Sequence, residues 1–98
     1  MSIYKPVNMA FDLEDGTPRR IILPLGSKEH LIQVTPDTAW RLAFDDAAKL
    51  GVDDQDIEFK AGAAYTIDSP VAKTEVHIQQ DSGSTVRLRW AYMTPTVR

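Results

Sequence analysis

The chain has 98 residues, of which 43% are hydrophobic and 26% charged, with a formal net charge of −3 and no cysteine. These values fit a single globular domain over residues 1–98 and argue against disordered, coiled-coil and membrane-spanning classes. Without cysteine there are no disulfides, no thiolate chemistry and no sulfur-ligated zinc, and so mild a charge gives no global attraction to nucleic acid or anionic membrane.

Residues 1–6 carry no apolar signal-peptide core, so the expected location is cytoplasmic, and they read as a short flexible terminus. From Val7 to Leu13 apolar and polar residues alternate, with Val7, Met9, Phe11 and Leu13 on one side, which predicts a half-buried strand. Turn residues follow at Gly16 and Pro18. Residues 19–25 then predict a second strand, with Ile21, Leu23 and Leu25 inward and Ile22 covered from the other side. The two strands read as a hairpin, and Pro24 marks the end of pairing. A short strand is expected at residues 31–34.

Residues 36–50 predict an amphipathic helix. Thr35 can cap it, Pro36 suits its first position and Asp37 its positive end. Trp40, Ala43, Phe44, Ala47 and Leu50 form an apolar stripe at helical spacing. Asp37–Arg41 and Asp45–Lys49 are i,i+4 pairs, and Gly51 is a left-handed stop. Short strands are expected at residues 57–60 and 65–68. The last hairpin joins residues 74–80 to 85–93 through Asp81-Ser82-Gly83-Ser84. Its register sets Ile78 against Leu88 and Val76 against Trp90. Residues 94–98 read as a tail.

The expected fold is therefore α+β: one amphipathic helix on a mainly antiparallel sheet of five to six short strands, a two-layer sandwich. Its core is Met9, Phe11, Ile21, Leu23, Trp40, Phe44, Ala47, Val76, Ile78, Leu88 and Trp90.

No phosphate-binding glycine loop occurs, and no G-x-S-x-G elbow. His30 and His77 fall in no ligand spacing. Asp53-Asp54-x-Asp56 lacks the glycine and the terminal glutamate of a calcium loop. The expectation is a non-enzyme with no cofactor and no metal. What the sequence does show is segregated charge. Residues 45–58 hold six acids, Asp45, Asp46, Asp53, Asp54, Asp56 and Glu58, against Lys49 alone, whereas residues 82–98 hold Arg87, Arg89 and Arg98 and no acid. The acids are the candidate surface for another protein as partner, because charged patches steer association. His77, Arg87 and Arg89 are the alternative, a nucleic-acid surface. A third reading is a self-assembling structural subunit, of virion type, that pairs through a sheet edge.

In kind the chain resembles the small cysteine-free accessory proteins of phages and mobile elements. Some of those inhibit or regulate host proteins by binding, and others are virion parts. That resemblance implies a small non-catalytic binding protein, an inhibitor or regulator, with the structural subunit as the alternative.

Overall fold

Period-two alternation runs through nearly every element of the computed structural model, which describes residues 3–60 and 74–96. The strands are β1 (Ile3–Leu13), β2 (Arg19–Leu23), β3 (Lys28–Thr35), β4 (Trp40–Phe44), β5 (Ile57–Phe59), β6 (Thr74–Gln80) and β7 (Val86–Thr96). They form two sheets, β1-β7-β3 and β2-β6-β4-β5, and every strand pair within them is antiparallel. We call these sheet A and sheet B. The chain passes between sheets from β1 to β2, β2 to β3, β3 to β4 and β6 to β7. That interleaving is the one found in jelly rolls. The strand expected at residues 65–68, and Arg98, lie outside the described residues.

The core fills the space between the sheets. Sheet A contributes Leu13, Ile32, Val34, Val86, Leu88 and Trp90; sheet B contributes Leu23, Trp40, Leu42, Phe59, Val76 and Ile78. Met9, Phe11, Ile21 and Tyr92 pack on its margin. Trp40 and Phe59 stack with ring centroids 4.2 Å apart.

The α+β expectation is overturned. Residues 36–50 form no α-helix. Trp40–Phe44 is a strand between β5 and β6, followed by one 3-10 turn, Ala47–Lys49. The residue pattern admits both readings, since Trp40 and Leu42 are also spaced for a strand, and cross-strand pairing on two sides outweighs local helix preference. Asp45 ends the strand in the left-handed region, at φ 70°, through which no helix runs. Asp46 then caps the short turn, its Oδ1 accepting from Ala48 N–H at 2.9 Å. Gly51 does adopt the left-handed conformation, with φ 79°, but it follows this turn rather than a long helix. Trp40 is buried as expected. Phe44 and Ile22, at 37% and 43% exposure, are not, and Ala47 is only half-buried.

Both expected hairpins are corrected as well. β1 pairs with β7 along its whole length, and β2 pairs with β6. β6 and β7 lie in different sheets, so Val76 and Ile78 meet Leu88 and Trp90 across the core and not side by side. Gln80 fixes this crossing. Its buried amide donates to the carbonyls of Leu13 (3.0 Å) and Ser84 (2.7 Å) and accepts from Ser82 N–H (2.7 Å). Its backbone carbonyl takes the N–H of Gly16, whose φ of 67° the turn requires. Residues 3–6 and 94–96 lie in the β1–β7 ladder.

A second polar group sits in the core. His30 Nδ1 accepts from Trp90 Nε1 at 2.9 Å, and its Nε2 lies 3.0 Å from Ser27 Oγ. An indole N–H only donates, so Nδ1 carries no proton, and the neutral ring donates from Nε2 to Ser27.

Candidate assembly surfaces

The six acids of residues 45–58 divide by role. Asp46 is the cap described above. Asp56 is largely buried; its Oδ2 accepts from Gly51 N–H at 2.6 Å and faces Arg41 Nη1 at 3.4 Å. Glu58 on β5 meets Arg41 Nη2 at 3.1 Å, and Asp81 lies 3.9 Å from Arg41 Nε. Arg41 is thus the hub of this corner, a role hidden from a helical reading that pairs it with Asp37. Asp45 offers its backbone N–H to the carbonyl of Glu75 at 3.0 Å. Asp53 and Asp54 stand exposed at the loop tip. The loop and β5, residues 51–59, contain four acids and no base.

The structure does not bring His77, Arg87 and Arg89 together. His77 sits on β6 in sheet B, nearly buried, with Nε2 2.8 Å from Glu75 Oε2. Arg87 and Arg89 point outward from β7 in sheet A, and Arg87 Nη1 meets Asp12 Oδ1 at 3.2 Å. Glu75 also receives Arg20, whose Nη2 approaches to 2.7 Å. Arg20 first and His77 second hold the Glu75 carboxyl below its ordinary range.

Sequence reasoning missed the open edge of β1. Tyr4 lies opposite Pro95 and Pro6 opposite Met93, and pairs two residues apart are of one kind in an antiparallel ladder. Proline cannot donate, so these are the non-hydrogen-bonded positions. The backbone groups of Tyr4, Pro6, Asn8, Ala10 and Asp12 therefore turn away from β7. Arg19 Nη1 takes the Asp12 carbonyl at 3.3 Å, on this outer side, while its guanidinium lies 4.3 Å from the Phe11 ring centroid. Among the described residues no strand pairs with that side of β1. The signal for it was Pro6 directly before the alternating run of Val7 to Leu13, since a proline in a strand marks an edge. Beside this edge, the outer face of sheet A carries a shallow hollow of about 330 Å³ around Ala10, Ala91 and Leu31, with Leu31 53% exposed.

No protein-family model matches this chain, and no curated protein does. One solved structure is similar along nearly its whole length. It is a chain of the Bacillus endospore appendages, described as forming a novel family of disulfide-linked pili. The match covers 99% of this chain and 92% of that one, with a TM-score of 0.53 and 10% sequence identity. At that identity the likeness shows a shared two-sheet fold. It lends the expected inhibitor or regulator no support. That reading is withdrawn.

Proposed function

We propose that this chain is a self-assembling structural subunit. The observation that carries the reading is the fold likeness to a pilus-forming chain across 99% of the sequence. The open outer side of β1 supports it, because unpaired backbone N–H and C=O groups on a strand are a template for another chain. Lys5 and Pro6 blunt one end of that template, as edge strands that must avoid indiscriminate pairing do. Asn8 and Ala10 keep both their donors and their acceptors.

The test is sedimentation velocity over a hundredfold range of concentration, with electron microscopy of the most concentrated sample. The expected result is a mass that climbs in steps of one chain. A species that stays at 11.0 kDa throughout, with no ordered particles, would refute the reading.

A further inference from the structure

The outermost described strands of sheet B, β2 and β5, carry opposite charge. β2 bears Arg19 and Arg20 and no acid; the loop and strand at residues 51–59 bear Asp53, Asp54, Asp56 and Glu58 and no base. β6 and β4 separate them, so the two flanks stand about 14 Å apart in backbone spacing and face opposite ways. Each flank also exposes a large apolar side chain, Ile22 at 43% on β2 and Ile57 at 47% on β5.

Several of these charges are partly used within the chain. Arg20 meets Glu75, yet its side chain stays 62% exposed. Asp56 and Glu58 meet Arg41. Among the described residues, Arg19 on one flank and Asp53 and Asp54 on the other stand in no ion pair, while Arg20 and Glu58 stay largely exposed but are shared with Glu75 and Arg41. The Arg19 flank adjoins the open side of β1, since Arg19 bonds the Asp12 carbonyl and covers Phe11. Asp12 and Glu14 line the same hollow as Arg19 and Arg20, so the basic character of this flank rests on the two guanidinium groups at its edge. That edge is complementary to the far flank of the same molecule.

We propose that the flank bearing Arg19, Arg20 and Ile22 receives the opposite flank, bearing Asp53, Asp54 and Ile57, of a second copy of this chain. The contact is head-to-tail. Every copy added leaves one basic and one acidic flank unsatisfied, so growth continues as a filament or closes as a ring. The inference rests on the self-assembly reading above and adds the two surfaces and their polarity.

The experiment uses two charge-changed chains, Asp53→Lys with Asp54→Asn, and Arg19→Glu with Arg20→Glu. Thermal melts confirm that each folds. At a concentration where the unchanged protein associates, each alone should sediment as a monomer. Mixed in equal amounts they should associate through the one native pair of flanks, and a third chain, Asp53→Asn with Asp54→Asn, whose changed flank offers no charge to the Arg19→Glu, Arg20→Glu flank, should form a one-to-one pair with that variant and stop there. Independently of any variant, association of the unchanged protein should weaken by roughly tenfold or more as ionic strength rises from about 0.01 M to 0.15 M, where the Debye length falls from about 30 Å to 8 Å. Undiminished association of either variant, a mixture that stays monomeric, or salt-independent association overturns the head-to-tail contact and leaves self-assembly standing. A wild-type chain that never associates overturns both.

Discussion

Gln80 shows how one side chain can decide a chain crossing. A buried amide offers two donors and an acceptor, and here all three are used, on Leu13, Ser84 and Ser82. Replacing it by leucine keeps the volume and strips three backbone groups of their partner. Gln80→Leu should therefore lose about 2–3 kcal/mol of unfolding free energy in a urea titration. A loss below about 0.5 kcal/mol would mean that the crossing is held elsewhere. Glu75 gives a second prediction, in pH. Arg20 and His77 hold its carboxyl below the ordinary range in the folded chain, so the unfolded chain binds the proton more readily. The stabilisation is complete above the ordinary glutamate range and is lost as pH falls through about 4.3 towards the lowered folded value. Wild type should be more stable than Glu75→Gln at neutral pH, with the gap shrinking steadily in acid. An equal gap at every pH would contradict the assignment.

β1 is the strand that faces both ways, bonded to β7 on one side and, among the described residues, open on the other. Its outward positions can be changed without touching the ladder. Ala10→Pro removes one outward N–H and extends the block begun by Pro6, while the bonds to β7 come from the alternate residues. The expected outcome is a thermal midpoint within a few degrees of wild type and a clear loss of association in light scattering. Full association would exclude this edge from the assembly. β4 makes a different point. Its five residues read as helix or as strand according to the window taken. The stripe of Trp40, Ala43, Phe44, Ala47 and Leu50 is a real helical match, yet only Trp40 and Ala43 of the five are buried. Pairing with β5 and β6 buries Leu42 completely, a residue that the helical stripe leaves out.

The principal extents are 45 × 25 × 18 Å, and the longest strands, β1 and β7, have 11 residues each. The described polar atoms are economical: none of the buried side-chain nitrogens and oxygens among them lacks a hydrogen-bond partner. The similar Bacillus chain belongs to pili described as disulfide-linked, a device this sequence cannot use, having no cysteine. The self-assembly proposed above should accordingly be indifferent to reductant. Equal sedimentation profiles with and without dithiothreitol are expected, and any difference would contradict a purely non-covalent contact.

Period-two spacing and turn residues placed β2, β5 and β6 and the inner parts of β1 and β7 close to their observed positions, apolar β-branched content placed part of β3, and the pattern set Trp90, Leu88, Ile78, Val76 and Leu23 in the core. It could not say which strands are neighbours. A strand with one apolar side looks the same whether its partner lies beside it in the sheet or opposite it across the core, so Val76 and Ile78 matched Leu88 and Trp90 under either arrangement. Neighbours were decided by backbone hydrogen bonds between residues far apart in the chain, such as Ile3 with Thr96 and Arg19 with Ile78, together with the Gln80 crossing. The charge pattern was also plain in the residues. That the acids and Arg19 with Arg20 stand on opposite flanks of one sheet was not, because only the strand order β2-β6-β4-β5 separates them.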